Sequence, residues 1–178
     1  MGRNKPLFTL VLAALFLAIG QVLPFITAQI PQIGAMLSPM HIPVLLCGYV
    51  CGPLYGALVG AVCPLLRSVL FGFPKMVPTA LAMAFELCAY GFFAGFLFGR
   101  MKKKTLPYIY LSLIITMILG RLVWGLAQTV ILGLTGSAFT LKMFLAGALI
   151  NAVPAIILQL VLIPYLVLTL DRLVQKRS

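Results

Sequence analysis

Long apolar runs dominate the chain, and short segments rich in proline, glycine or basic residues separate them. A helix rises about 1.5 Å per residue, so about 20 apolar residues cross the roughly 30 Å hydrocarbon core of a bilayer. The runs predict six membrane-spanning helices, at residues 7–27, 41–51, 54–71, 79–98, 107–132 and 141–170. The predicted fold class is an all-α integral membrane protein, and residues 1–178 form a single transmembrane domain.

Two of the predicted helices depart from a regular span. The stretch 41–73 is too short for two full spans and a turn, so we expect a short helix that turns at Cys51-Gly52-Pro53. The last helix should be broken or kinked near Pro154 and Pro164, because proline removes a backbone donor and clashes with the preceding turn. Interrupted spans are tolerated where their backbone lines a protein cavity rather than lipid. A binding site is therefore expected nearby.

The basic residues are distributed as in a membrane protein rather than a nucleic-acid-binding protein. The formal net charge is +11, and most Lys and Arg residues lie beside apolar runs, in clusters at residues 3–5, 100–104 and 172–177. Cytoplasmic loops of membrane proteins carry an excess of Lys and Arg. We therefore expect both termini on the cytoplasmic side, where the clusters also contact anionic lipid head groups.

Side chains that support catalysis or hold a cofactor are scarce. The chain has two acidic residues, one histidine and no Gly-rich phosphate-binding loop of the Walker kind. Its four cysteines form no C-x-x-C pair and are expected to be small packing residues; they are Cys47, Cys51, Cys63 and Cys88. We expect no enzymatic activity, no metal site and no cofactor, and any ATP would be used by partner subunits.

Polar side chains inside the predicted spans mark a candidate site. A charge in the centre of a lipid-facing helix costs roughly 2.5–3.5 kcal/mol on insertion scales, so these charges should face protein, water or a ligand. Counted from the predicted outer helix ends, the polar residues converge at similar depth on four or five helices, as in an outward-facing ligand pocket. The candidate substrate-binding residues are Arg67, Glu86, Arg121, Asn151, His41, Trp124, Gln128 and Tyr90.

The predicted pocket has two arginines against one glutamate, which favours an anionic or strongly polar ligand. Guanidinium groups bind carboxylates and phosphates through paired hydrogen bonds, so we expect Arg67 and Arg121 to hold such a group. Structural alternatives stay open at this point. One alternative is that Arg121 and Glu86 pair with each other across two helices. Another is that the remaining polar residues form helix–helix hydrogen bonds, cap a helix or pack in the core.

Four segments resemble the S components of energy-coupling factor (ECF) vitamin transporters, and the resemblance covers nearly the whole chain. They are SPMHIPV at residues 38–44, CGPLYG at 51–56, the region from PLLR at 64–67 to Glu86, and ALFLA at 14–18. The last is similar to the family's A-x-x-x-A motif, which implies that Ala14 and Ala18 dock against the transmembrane coupling subunit. Alanines four residues apart leave a smooth strip that another helix can approach closely.

The resemblance implies a substrate-capture subunit in a prokaryotic plasma membrane. Such a subunit binds a vitamin outside, associates with a coupling subunit and two cytoplasmic ATPase subunits, and releases its cargo inside. Pantothenate, a pyridoxine-like compound, nicotinate and folate are the candidate ligands, of which the positive pocket favours the acids. Two other functions stay open, a structural or regulatory membrane subunit and a membrane thiol oxidoreductase that uses the cysteines.

Overall fold

The computed structural model describes residues 5–26, 39–101, 105–134, 136, 140–147 and 152–175, and this part of the chain is helical without β-strands. Its helices are α1 (Lys5–Ile26), α2 (His41–Cys51), α3 (Pro53–Phe71), α4 (Leu81–Arg100), α5 (Leu106–Leu134), α6 (Leu141–Leu145) and α7 (Val153–Gln175). All except α2 and α6 are long and apolar enough to cross a membrane. The predicted all-α membrane fold is confirmed, and α2 is the predicted short helix.

The turn between α2 and α3 lies where the sequence predicts it. Gly52 follows α2 with φ +93° and ψ 174°, a backbone conformation that other residues disfavour and glycine adopts without steric cost. Its N–H donates to the carbonyl oxygen of Gly48 at 3.0 Å. Pro53 then begins α3, where its missing N–H leaves no helical bond unmade. The two helices therefore follow each other without a loop.

A wide turn connects α3 to α4. Gly72 closes α3 with φ +69°, and its N–H donates to the carbonyl oxygen of Ser68 at 2.9 Å. After residues 73–75 the chain forms a turn over Met76–Ala80, in which the N–H of Ala80 donates to the carbonyl oxygen of Lys75 at 2.9 Å. The regular helix begins at Leu81, two residues later than predicted.

Within the predicted last helix the structure describes two helices, α6 and α7. Thr140 caps the short α6 by accepting a hydrogen bond from the N–H of Met143 at 3.3 Å. Pro154 lies in the first turn of α7, a position that tolerates proline, so the helix begins beside this residue. α7 then continues through Pro164 to Gln175, beyond the predicted end at Leu170. Residues 148–151, between the two helices, lie outside the described part of the chain.

α4 occupies the centre of the bundle, between α2, α3 and α5, while α1 packs on α2 and α3, and α7 packs on α2 and α5. Small residues let α3 and α4 approach closely, because a β-carbon on Gly91 would collide with the backbone of Gly56. On the other side of the core, the hydroxyls of Tyr49 on α2 and Ser112 on α5 lie 2.9 Å apart. The central helices are thus held closely around the inward-facing residues of α4.

Candidate ligand-binding site

Arg121 on α5 and Glu86 on α4 form an ion pair inside the bundle. The distance between Arg121 Nη1 and Glu86 Oε1 is 2.8 Å, and the Glu86 side chain is only 2% exposed. Glu86 lies on the buried face of α4 together with Ala82 and Tyr90, so the packing of the helix turns its carboxylate inward. Since an isolated buried charge is strongly disfavoured, each side chain requires the other. The ion pair that the sequence left as an alternative is therefore present.

His41 and Tyr90 extend this cluster to a third helix. His41 is the first residue of α2, and its Nε2 lies 3.5 Å from Glu86 Oε1. The His41 ring meets the Tyr90 ring edge to face, with 5.2 Å between their centroids. The Tyr90 hydroxyl lies 3.5 Å from the backbone carbonyl oxygen of Met117 on α5. Side chains from α2, α4 and α5 thus meet at one buried place.

Buried polar atoms in and beside this cluster lack hydrogen-bond partners within the described chain. In the cluster they are both ring nitrogens of His41 and Nε of Arg121, and about two turns further along α5 Oε1 of Gln128 is in the same state. Leaving one such group without a partner costs about 1–3 kcal/mol. A polar ligand or ordered water that supplies partners here would remove that cost, so the cluster has capacity for polar binding.

A cavity of about 410 Å³ lies beside the cluster, between α5, α6 and α7. Its lining is Ile114, Met117, Ile118, Arg121, Leu122, Phe144, Ile156 and Leu160. Arg121 is therefore shared between the polar cluster and an otherwise apolar space. Pockets for small molecules typically measure about 300–1,000 Å³ and combine apolar walls with few polar groups. The cavity has the size and lining of such a pocket.

Two aromatic rings fix α6 against α5 at the edge of this cavity. The rings of Trp124 and Phe144 pack with 6.1 Å between centroids and a tilt of 30°. Each ring packs against a glycine of the other segment. A β-carbon on Gly125 of α5 would strike the Phe144 ring, and one on Gly147, which follows α6, would strike the Trp124 ring. Gln128 lies one turn further along the same face of α5 as Trp124 and is 8% exposed.

Arg67 lies in different surroundings from the Arg121–Glu86 pair. Its Nη1 donates to the backbone carbonyl oxygen of Gln21 on α1 at 2.7 Å, and its guanidinium carbon lies 5.1 Å from the ring centroids of both Phe25 and Phe71. Within the described residues it forms no ion pair with Glu86. The structure therefore does not bring Arg67 to the pair, since α3 directs it towards α1, and its predicted contact with ligand stays a prediction.

The remaining predicted site residues fall into two groups. Asn151 lies outside the described residues, so its part in the site stays a prediction. Ala14 and Ala18 lie on an exposed face of α1, beside Val11 and Leu15, which are 60% and 53% exposed. This face is available for a neighbouring helix, as the predicted docking role requires, but the role itself stays a prediction.

Two residues that the sequence analysis did not select make important contacts. Phe144 is an ordinary apolar residue in an apolar run, and nothing in the sequence marks it as lining a cavity. The sequence does mark Gln21 as a candidate for a contact between helices, because it is a polar side chain within the first apolar run. Its side-chain Nε2 donates to the backbone carbonyl oxygen of Cys63 on α3 at 2.9 Å.

These features define a small multi-span α-helical membrane protein with a buried polar cluster next to an apolar cavity. The family model for the substrate-specific component of ECF transporters matches residues 8–167, and the chain belongs to this family. No curated protein and no solved structure matches the chain.

Membership establishes the general role and place of the protein. It is a multi-pass protein of the cell membrane with a part in vitamin or micronutrient uptake. The family consists of transporter subunits that bind substrate and is not an enzyme family. Membership also implies association with coupling and ATPase subunits and with a small-molecule substrate.

Proposed function

We propose that this chain captures a small polar or anionic vitamin at the site formed by Arg121, Glu86 and His41, and carries it across the membrane for an ATP-driven ECF transporter. The observation that carries the proposal is the position of Arg121, which pairs with Glu86 and also lines the 410 Å³ cavity. Arg121 Nε is buried and has no hydrogen-bond partner in the described chain, so a ligand that enters the cavity and displaces the cover of this nitrogen would supply one. Tyr90, Trp124 and Gln128 would border the ligand or support the groups that touch it.

The charge of this cluster narrows the ligand chemistry. Arg121 and Glu86 balance each other, and Arg67 lies with α1, so the site carries less positive charge than the sequence alone predicts. Guanidinium presents five N–H donors, and the Nε edge of Arg121 is buried without an acceptor in the described chain, so a ligand would reach this edge by displacing its cover. Carboxylates, carbonyls and ring hydroxyls suit this edge, as in nicotinate, pantothenate or a pyridoxine-like compound. Folate is the largest of the four candidates and fits this cavity least well.

The transport cycle of this proposal divides the chemistry among subunits. The chain binds the vitamin. Two cytoplasmic ATPase subunits hydrolyse ATP, and a transmembrane coupling subunit transmits the effect of hydrolysis to the chain. The exposed face of α1 with Ala14 and Ala18 would contact the coupling subunit, because alanines let a partner helix approach closely. Both termini of the chain would lie in the cytoplasm with the basic clusters.

The proposal is tested by thermal unfolding of the detergent-purified protein in the presence of single vitamins: pantothenate, pyridoxine, nicotinate and folate. A ligand at 100 times its dissociation constant stabilises the folded state by about 2.7 kcal/mol, which is a readily measured shift. We expect one of these compounds to stabilise the parent protein and to have no such effect on the Arg121→Ala variant.

Arg100→Ala provides a matched control for that experiment. Arg100 is exposed at the end of α4, with its guanidinium carbon 3.8 Å from the Phe96 ring centroid. The variant also loses one arginine, so it should keep the vitamin-dependent shift of the parent. Equal shifts in the parent and in Arg121→Ala would contradict the proposed site, and no shift with any compound would contradict the proposed ligands.

A further inference from the structure

Arg67 is enclosed by the first and third helices although it lies in apolar sequence. Its side chain is 2% exposed, whereas the two rings that flank it, Phe25 on α1 and Phe71 on α3, are 42% and 43% exposed. These rings also contact each other edge to face at 5.1 Å. The rings therefore cover the guanidinium on its outer side, and their faces attract the charge. Within the described residues, Arg67 has no carboxylate partner.

Gln21 and Arg67 join α1 and α3 through hydrogen bonds in both directions. Arg67 Nη1 donates to the backbone carbonyl oxygen of Gln21 at 2.7 Å. The Gln21 side chain in turn donates to the backbone carbonyl oxygen of Cys63 at 2.9 Å and lies 3.3 Å from its sulfur. We call these four residues, Gln21, Phe25, Cys63 and Arg67, the α1–α3 clasp. Hydrogen bonds that involve a charged donor are among the stronger ones in proteins.

In the described part of the bundle, helix α1 has two neighbours and one open side. It packs on α2 and α3, whereas an apolar groove of about 370 Å³ lies between α1, α2 and α7. Phe16 and Leu23 line the groove from α1, and Leu158 and Leu162 line it from α7. Apolar contacts across such a groove constrain the rotation and sliding of a helix only through side-chain shape, because they are not directional. Directional bonds at the clasp can fix both.

We propose that Arg67 is a positioning residue, which holds α1 in one rotation against α3 and so directs the face with Ala14 and Ala18 towards a transmembrane partner. This inference rests on the proposed docking of the coupling subunit on α1. A helix has 3.6 residues per turn, so a rotation of α1 by one residue position would replace the alanine strip with bulkier side chains such as Leu15 and Ile19. The clasp would therefore influence assembly rather than ligand binding.

The first test compares assembly with ligand binding in Arg67→Ala. If Arg67 positions α1 and does not touch ligand, the isolated variant binds the vitamin found for the parent with unchanged affinity, and the predicted ligand contact of Arg67 is then wrong. Its affinity for the coupling subunit, measured by titration of the purified proteins in nanodiscs, should fall by about tenfold, which corresponds to about 1.4 kcal/mol. Val59→Ala removes buried volume from the same helix and leaves the clasp intact, so it controls for loss of stability alone.

A covalent rescue distinguishes positioning from general stability. A β-carbon on Gly20 would lie 2.7 Å from the sulfur of Cys63, so Gly20→Cys places a second thiol beside a native one. Oxidation of the two thiols by diamide, which takes up their two electrons and two protons, would form a disulfide between α1 and α3. In the double variant Gly20→Cys/Arg67→Ala, we expect oxidation to restore assembly and reduction by dithiothreitol to abolish it again.

Two results would overturn the inference. One is a loss of vitamin affinity in Arg67→Ala with normal assembly, which would assign Arg67 to the ligand site. The other is a disulfide that forms completely without restoring assembly. If Arg67→Ala does not fold, the same comparison is made with Arg67→Lys, which keeps the charge but loses the planar guanidinium, and the same two results decide. Failure of the proposed function would instead appear in the parent protein, as absence of vitamin binding or of partner binding.

Discussion

At the scale of single residues, the two membrane-embedded arginines are accommodated in different ways. Arg121 is neutralised by Glu86 at 2.8 Å, whereas Arg67 is held by a backbone carbonyl oxygen and two aromatic rings. An arginine with a carboxylate partner and an open cavity beside it can bind a ligand. An arginine enclosed by two rings and a neighbouring helix is better suited to join those helices.

Replacing Glu86 by Gln tests how far the pair supports the fold. The amide keeps the size of the side chain but leaves the Arg121 charge without a carboxylate, which we expect to cost about 3 kcal/mol of unfolding free energy. The double variant Glu86→Gln/Arg121→Gln removes both charges, so it should be more stable than Glu86→Gln. Denaturant or thermal unfolding of the three proteins measures the difference. Equal stability of parent and Glu86→Gln would show that the pair contributes nothing to folding.

The sequence predicted part of this arrangement and could not predict the rest. Glu86 and Arg121 are charges in apolar runs, so their burial and their pairing could be foreseen from the energetic cost of an isolated charge. His41 could be placed because α2 begins at this residue. The direction in which the Arg67 side chain points could not be predicted, because it depends on the rotation of α3 about its axis and on where Gln21 of α1 lies. Neither is encoded in a local pattern.

At the scale of helices, close backbone contact between α3 and α4 sets the position of Glu86. A β-carbon on Gly60 would collide with the backbone of Leu87, the residue after Glu86, and one on Gly91 would collide with the backbone of Gly56. Dense packing of this kind transmits any added volume to the helix axes. The ion pair therefore depends on glycines that touch neither of its members.

Gly91→Ala should destabilise the bundle for this reason. The added methyl group forces α3 and α4 apart, and overpacking of this type costs about 1–3 kcal/mol. Gly99→Ala is the matched control, because it lies on the same helix and a β-carbon there meets nothing within 4 Å. Thermal unfolding in detergent should show a lower midpoint for Gly91→Ala and an unchanged or higher one for Gly99→Ala. Equal midpoints for the two variants would contradict the close helix contact.

Helix boundaries were predicted well where glycine and proline act locally, and less well elsewhere. The turn at Gly52-Pro53 follows from the backbone freedom of one residue and the missing donor of the next. A break or kink was predicted near Pro154, and α7 begins at Val153, the residue before it. Pro164 carries the same sequence signal, yet α7 continues through it. Proline inside an apolar membrane helix thus indicates a possible break but does not fix its place.

At the scale of the whole molecule, the helices separate two functions. α4, α5, α6 and α7 surround the ion pair and the cavity, while α1 packs against α2 and α3 and exposes Ala14 and Ala18. A capture subunit needs both a ligand site and a surface for its partner. Because the α1–α3 clasp and the Arg121–Glu86 pair lie on different helices of the bundle, changes in one can be made without removing the other.

The most direct measurement of the central claim uses Trp124, the single tryptophan of the chain. Its ring packs against Phe144, which lines the cavity, so its fluorescence should respond when a ligand enters. We predict that the vitamin that stabilises the protein changes this fluorescence in a saturable titration of the parent and of Arg100→Ala, with the same dissociation constant. In Arg121→Ala the saturable change should disappear. A titration of Arg121→Ala identical to that of the parent would contradict a ligand site built on Arg121.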